Sequence, residues 1–586
     1  MSSDTVVAEI KALRAAGDES AALDHALGAL EHDRGNGEIV ALTCGLLDTW
    51  ERFDESLRLV EGATGLDPLT AKSLRAATFE AMNRLDDSLA LRREVHLHDP
   101  TVRRNHFDYA RMLIRAASFD QADAEIEAFA TAHPRGKHWK LRILWLNAQQ
   151  RRVEGLELAE SVFADDPGKL DGVRTLMRQL QKCIQKDRSE VARSRAAELL
   201  DQIGPDVRSD SNALGLAVLL AIALGRDAQA RDLLQSAPAD ANDAGFLRGQ
   251  AWASHMDGDV DAARAIWDEI RLKQSVPATR PCQPDELVRA DAHSPDASRA
   301  EIRLFTVIRN ELWRLPWFVD HYRALGVERF FFVDNDSTDG SREWLLTQPD
   351  VYVFHTTTPY ALGRSGMVWV NDLVARYGRH GWNLYVDVDE ALVFDDVEHH
   401  DLRDLTTYME RKGHDMAAGQ MVDMFAMGDV TLPSDGFESD FIGNYPFFDR
   451  SYERTPTAQC PYFFTSGGIR RLAHTGENQT KTPLIRGGRN IQFLSSSHIV
   501  TPGVVSDVSV ALLHFKLAGD YRKEFHDDGS SNDRVGECKL RYLAYAEFFE
   551  SWAGTEDAVG VDTIRYSSSR SLVDAGLLTP LVDGFV

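Results

Sequence analysis

The pattern of apolar and polar positions changes period near residue 270. Up to that point it is helical, with Ala- and Leu-rich stripes such as Leu59, Ala63 and Leu66, or Ala110, Leu113 and Ala117. No strand-like alternation appears there. Prolines fall at Pro68, Pro100, Pro134, Pro167, Pro205 and Pro238, at intervals of 32, 34, 33, 38 and 33 residues. A turn marker keeps nearly the same register: R-F-D-E-S-L at 52, R-L-D-D-S-L at 84, S-F-D-Q-A-D at 118, R-V-E-G-L-E at 152, R-D-A-Q-A-R at 226 and D-V-D-A-A-R at 259. A fixed period of this length predicts stacked helix pairs, because one pair alone cannot bury its apolar face. Residues 271–300, with Pro277, Pro281, Pro284 and Pro295 among polar residues, read as a linker.

From residue 301 strands and helices alternate. Ile302–Ile308 is an apolar strand ending in Arg309, Asn310 and Glu311. Pro316 opens a helix with a Phe318, Tyr322 and Leu325 stripe, and Gly326 suits its end. Arg329–Val333 is a second strand, ending in Asp334-Asn335-Asp336-Ser337-Thr338-Asp339-Gly340-Ser341. Ser341 begins a short helix through Trp344 and Leu345, and Val351–His355 is a third strand. A loop with Gly363, Arg364 and Gly366 precedes a helical face of Met367, Val370, Val374 and Tyr377, closed by Gly378. Trp382–Val386 is a fourth strand, running into Asp387, Asp389 and Glu390. This β-α-β-α-β-α-β order predicts a mostly parallel sheet. Ligands of such sheets sit beyond the carboxyl ends of the strands, so the clusters at 309–311, 334–339 and 387–390 are expected to converge on one cleft. Taken singly, the second cluster also reads as an ordinary Asx-rich turn.

Composition narrows the class. The chain has 586 residues, 43% hydrophobic and 27% charged, which is ordinary globular usage. A net charge of −26 argues against a nucleic-acid partner and against polybasic lipid attachment. The five cysteines, Cys44, Cys183, Cys282, Cys460 and Cys538, form no C-x-x-C pair, which favours a reducing compartment. No run is long and apolar enough to span a bilayer, and the N-terminus lacks a signal-peptide core. The expectation is a cytoplasmic protein, with peripheral attachment to the inner face of the membrane left open.

Two resemblances follow. The helix pairs, closed by a proline about every 33 residues, resemble a degenerate tetratricopeptide (TPR) array lacking a regular W-x-x-L-G-x-x-Y. That implies an interaction surface for a protein partner or for self-association; no catalytic constellation is apparent in this half. R-N-E at 309, D-N-D-S-T-D-G-S at 334, the Trp369-Val370-Asn371 helix and Y-V-D-V-D-E at 385 resemble family 2-type glycosyltransferases of the D-x-D-E subgroup. M-V-D-M-F at 421, K-T-P-L at 481, S-S-S-H at 495 and L-L-H-F-K at 512 extend the resemblance over roughly residues 302–575.

The resemblance implies a GT-A fold from 301 to 586 and a hexosyltransferase acting on a nucleotide-diphosphate sugar. It implies Mn²⁺ or Mg²⁺ as cofactor and a glycan or glycolipid hydroxyl as acceptor. Asp387 and Asp389 then hold the metal, Asp389 as a direct ligand, while Asp387 more often meets the ribose or the metal's water shell. His514 is the expected third ligand, with His498 as the runner-up; neutral imidazole suits Mn²⁺. Asp334 and Asp336 occupy the place of the base and ribose contacts, with Asn310 and Glu311 lining the same pocket. Arg364 reads either as a phosphate contact or as a surface arginine, and Lys481 faces either the phosphates or the acceptor. An inverting transfer needs a carboxylate to take the acceptor's proton. Asp423, in the apolar run A-G-Q-M-V-D-M-F-A-M, and Glu477, in H-T-G-E-N-Q, are the candidates. Asp423 is alternatively tied to a buried partner such as an Arg, since an unpaired charge there is costly.

The aromatics Phe437, Phe441, Tyr445, Phe447, Phe448 and Tyr452 form either an acceptor platform or ordinary packing. Residues 508–515 read as a strand and 534–550 as a helix. Rival readings are a nucleotidyltransferase, for which R-N-E-L-W lacks the Gly-rich basic loop, and a non-catalytic repeat protein with a degenerate transferase domain.

Overall fold

A computed structural model describes every residue except 1–2, 16–18, 33–34, 51, 83, 167–168, 188, 240, 274–278, 280–281, 292–295, 427–439, 461–463, 469–477, 495, 520, 531–535, 552–561, 582–583 and 586. The first half is a succession of helical hairpins, for example Pro68–Ala81 with Leu85–His98, then Arg103–Arg115 with Phe119–Ala132. The turn markers sit at the start of the second helix of each hairpin. Arg52, Arg84 and Arg151 occupy N-cap positions and pair with Glu55, Asp87 and Glu154 three residues on. Each pair places an acid in the first turn, where the helix dipole favours it. Pro68 does not close a hairpin as the sequence suggested. It opens one, behind an Asp67 cap that accepts from the Leu69 and Thr70 amides.

A second periodicity lies beneath the first. Ser56, Ser88, Ala122, Gly155, Ala192, Ala230 and Ala263 recur near the start of these second helices, and all are buried. Only their small size is shared. A Cβ at Gly155 would lie 2.9 Å from the Gln179 amide of a later helix, so the close approach of neighbours sets the limit.

The chain forms two compact units, residues 1–220, 236–246 and 268–281, and residues 221–235, 247–267 and 282–586. The second unit is built on a sheet. In chain order its strands are β1 Val288–Arg289, β2 Glu301–Ile308, β3 Arg329–Asp334, β4 Val351–His355, β5 Gly381–Tyr385, β6 Glu390–Val393, β7 Met416–Asp423, β8 Phe447–Asp449, β9 Tyr452–Arg454, β10 Phe464–Gly467, β11 Thr480–Arg486, β12 Val510–His514 and β13 Thr563–Arg565. Nine of them form one sheet in the order β1-β4-β3-β2-β5-β11-β7-β12-β6.

Strands β2, β3, β4 and β5 pair in parallel, as their apolar runs predict. The rest is mixed rather than mostly parallel: β11 runs antiparallel to both β5 and β7, and β12 is parallel to β7 but antiparallel to β6. The inserted strand β11 carries Pro483, where the register with β7 shifts between Lys481 and Leu484. Its polar start and its proline hid it from the pattern.

Continuous apolar strands bury both faces. Ile302, Leu304, Phe330 and Phe332 meet Phe318, Val319 and Tyr322 of the helix Leu315–Ala324, and Leu405 and Met409 of the helix Leu402–Arg411. Phe305, Phe331 and Val333 on the other face meet Met367, Trp369, Val370 and Leu373 of the helix Met367–Tyr377. Phe441, Tyr445 and Phe448 of the aromatic segment pack as a third core cluster with Val422, Leu513 and Phe515, while Phe437 lies outside the described residues. Among the described residues no helix is long and apolar enough to cross a membrane.

Candidate functional site

The register of three strands builds the centre. On β12, His514 stands opposite Glu390 of β6 on one side and opposite Asp423 of β7 on the other. Directly opposed residues of neighbouring strands share a face, so these three form a row. Asp389 joins them from the loop between β5 and β6. His514 Nε2 lies 3.4 Å from Asp389 Oδ2, and His514 Nδ1 lies 2.6 Å from Asp423 Oδ1. The Phe515 amide donates to the Asp389 carbonyl at 2.7 Å, which fixes the loop to the end of β12.

Lys481 on β11 supplies the adjacent cation. Its Nζ is 2.6 Å from Asp387 Oδ2 and 2.5 Å from Glu390 Oε1. The Tyr385 hydroxyl donates to Asp387 Oδ1 at 2.9 Å, and the Asp387 amide donates to Glu390 Oε2 at 3.1 Å. Among the described residues four carboxylates therefore lie against Lys481 and His514. Burial pushes the Glu390 carboxyl up to about 7, with Lys481 opposing. On His514 burial acts downward, but Asp389 and Asp423 outweigh it and the imidazole rises to about 9. Burial also works against the Asp389 charge, yet His514, Arg314 and Lys516 hold it well below the usual carboxylate range.

The arrangement fits a divalent cation. Asp389, Glu390 and His514 offer ligand atoms all within 4.8 Å of one another. His514 donates through Nδ1 to Asp423, and a cation would take the place of the proton that the raised imidazole holds on Nε2 beside Asp389; a carboxylate behind a ligating histidine is the usual way its tautomer and ring plane are fixed.

The other predicted residues separate into two groups. Asn310 and Glu311 are stitched to the 334–341 loop. Asn310 Oδ1 accepts from the Thr338 amide at 2.8 Å, its own amide donates to Ser337 Oγ, and the Glu311 amide donates to Ser341 Oγ. Two of the three expected clusters thus converge. Arg314 links them electrostatically to the third, pairing with Glu311 at 3.0 Å while lowering the Asp389 carboxyl. Asp334 is fully buried, accepts from the Ser337 amide and pairs with Arg342 at 2.5 Å. It stands two strands from β5, roughly 10 Å by strand spacing. Its carboxylate braces the turn.

Asp336 is exposed, with His355 at 3.5 Å, and Arg364 is exposed in a left-handed turn. His498 contacts the Thr480 carbonyl through Nδ1 at 3.2 Å. Glu477 lies outside the described residues. Among the described residues the Asp423 carboxylate is tied to a buried partner, the His514 imidazole. Glu390 and Arg314 were not singled out from the sequence as site residues; adjacency to the D-x-D pair was the one available signal for Glu390.

No protein-family model matches the chain, and no curated protein does. Among solved structures the chain is similar to a tetratricopeptide repeat protein from Parabacteroides merdae ATCC 43184, at 10% identity and TM-score 0.28, covering 46% of this chain and 98% of that one. It is similar to TTC0263, a thermophilic TPR protein of Thermus thermophilus, at 14% identity and TM-score 0.27, covering 31% and 100%. A third is YrrB, described as a TPR protein with an unusual peptide-binding site, at 14% identity and TM-score 0.21, covering 28% and 85%.

Proposed function

We propose that the sheet unit is a metal-dependent, inverting glycosyltransferase. It moves a sugar from a nucleotide-diphosphate sugar to a hydroxyl of a glycan or glycolipid acceptor, and the helical repeats bind a protein partner or a second copy. The observation that carries this reading is the Asp389–His514–Asp423 chain of contacts at the ends of β7 and β12. Parallel strands β4-β3-β2-β5 beside a mixed set support a GT-A-like sheet.

Asp389 and His514 would hold Mn²⁺ or Mg²⁺, which offsets the charge of the departing diphosphate. Asp423 is then a positioning residue acting through His514 rather than the base. Of the two candidate bases this leaves Glu477. Lys481 keeps Asp387 and Glu390 in place, and the Asp387 side chain stays partly exposed. Arg314 adds positive charge near the same carboxylates.

The test is a thermal-shift screen of nucleotide sugars with and without Mn²⁺. Ligands that bind only the folded state raise its melting temperature by mass action. A manganese-dependent rise with one sugar nucleotide is expected, and its loss in Asp389→Asn and in His514→Gln. No such rise with any sugar nucleotide, or equal rises in both variants, refutes the reading.

A second reading is a helical-repeat interaction protein whose sheet unit does no chemistry. It is favoured by the ion pairs of Lys481, which already offset two of the carboxylates. Donor hydrolysis or transfer that disappears in Asp389→Asn separates the two.

A further inference from the structure

Three successive helices of the repeat unit, Leu85–His98, Arg103–Arg115 and Phe119–Ala132, each send one side chain to a common point. His106 Nε2 lies 3.1 Å from Glu125 Oε2, and His96 Nε2 lies 3.7 Å from the same oxygen. The ligand atoms of all three are within 4.8 Å of one another. Both rings are buried, 7% exposed for His96 and 3% for His106, with their centroids 4.5 Å apart. Tyr109 stacks on His96 at 5.2 Å and Phe129 meets His106 edge-on at 5.2 Å, so the walls are apolar. Glu125 keeps 28% of its side chain exposed, which leaves a way in.

One carboxylate oxygen faces two ring nitrogens, while among the described residues the Nδ1 atoms of both histidines are buried without a hydrogen-bond partner. A shared cation on Nε2, Nε2 and Oε2 accounts for three ligand atoms turned to one point. Two imidazoles and a carboxylate are a zinc donor set, and bonds of about 2.0–2.1 Å in a tetrahedral shell set neighbouring ligands about 3.3–3.5 Å apart. The observed 3.1 and 3.7 Å lie on either side of that separation.

We propose that His96, His106 and Glu125 bind a zinc ion that clips one helical hairpin to the next. The fourth position is open to water on the side where Glu125 reaches solvent. His133, whose ring lies 5.7 Å from that of His106, is its nearest further imidazole neighbour.

The experiment uses the full chain carrying Asp389→Asn, so that the sheet unit's candidate centre is disabled. Metal-free protein is dialysed against Zn²⁺ and titrated with Co²⁺. One equivalent of zinc, an intense visible cobalt band of the four-coordinate type, and a zinc-dependent rise in melting temperature are expected. All three are expected to vanish in added Glu125→Gln and in added His106→Gln, with folding checked by circular dichroism. Because His106 is buried, the partly exposed Glu125 decides if that variant fails to fold. No zinc bound by the Asp389→Asn protein, or the same stoichiometry and cobalt band after Glu125→Gln, overturns the proposal.

Discussion

Lys481 is the position where removal of one atom group exposes the electrostatic construction of the sheet unit. Its side chain is 3% exposed, and that of Glu390, 2.5 Å away, is 0% exposed. Lys481→Met keeps the aliphatic stem and deletes the charge. Breaking a buried pair from one side leaves an uncompensated ion and costs about 3–5 kcal/mol. The pH dependence follows from Glu390. With Lys481 present its folded carboxyl titrates at about 7, against 4.5 unperturbed. A raised carboxyl means that the folded state holds a proton the unfolded chain has released. Stability therefore falls as pH rises from the unfolded value to the folded one. In the wild type that fall ends near pH 7; without Lys481 it continues upward, so the deficit of the variant is greater at high pH. Urea unfolding at pH 6 and pH 8.5, with chelator present, measures both quantities. The double variant Lys481→Met with Glu390→Gln should recover more than half of the loss, because neutral Gln can still accept from the Asp387 amide. A Lys481→Met protein within about 1 kcal/mol of wild type at pH 8.5, or equally destabilised at both pH values, refutes the argument.

Asp423→Asn should weaken manganese binding by about 10–100-fold, the usual cost of losing the carboxylate behind a ligating histidine; calorimetric titration giving unchanged affinity would remove the tautomer argument. Gly419→Ala should destabilise the sheet unit by about 1–3 kcal/mol, since the new Cβ would sit 2.1 Å from the Val510 carbonyl and force β7 from β12. An unchanged urea midpoint would count against it. His414 is buried, and burial lowers its imidazole from 6.5 to about 4, with His255 adding to the effect and Asp507 opposing. A lowered base keeps its stabilisation above pH 6.5 and loses it as pH falls, by about 3 kcal/mol at pH 4. His414→Gln should flatten that part of the stability–pH curve; an unaltered slope contradicts the assignment.

The legible parts of the sequence were those where one residue type repeats its job. The second helices of the hairpins announce themselves because Arg52, Arg84 and Arg151 each stand at an N-cap position and pair three residues on. The buried small positions were not legible, since Ser56, Ala122 and Gly155 share only volume. Strands β2 to β5 were readable because each is an apolar run ending in polar residues. β11 was not, because Thr480, Lys481 and Thr482 are polar yet buried beside a proline. Asp389 and His514 were both chosen as ligands from the resemblance, but the Asp423 contact joins residues 91 apart and has no local signature. Glu125 is likewise 19 residues from His106, on another helix, a spacing that no short motif encodes.

The position of the acidic row follows from strand register, and register makes it intolerant of displacement. One step back from Glu390, His514 and Asp423 along the same face lie Leu392, Leu512 and Met421, which also stand opposite one another. These three belong to the core beneath the helices Leu315–Ala324 and Leu402–Arg411. The alternate residues Ala391, Leu513 and Val422 belong to the separate cluster on the opposite face. Side chains alternate along a strand, so a one-residue slip of β12 would place Leu513 or Phe515 in the acidic row and drive His514 into an apolar core. Burying an imidazole there without Asp423 would cost its hydrogen bond, and two carboxylates would lose their shared partner. The apolar rows therefore specify where the polar row must fall. The same packing that stabilises the sheet also holds Asp389, His514 and Asp423 in contact distance, before any ligand contributes.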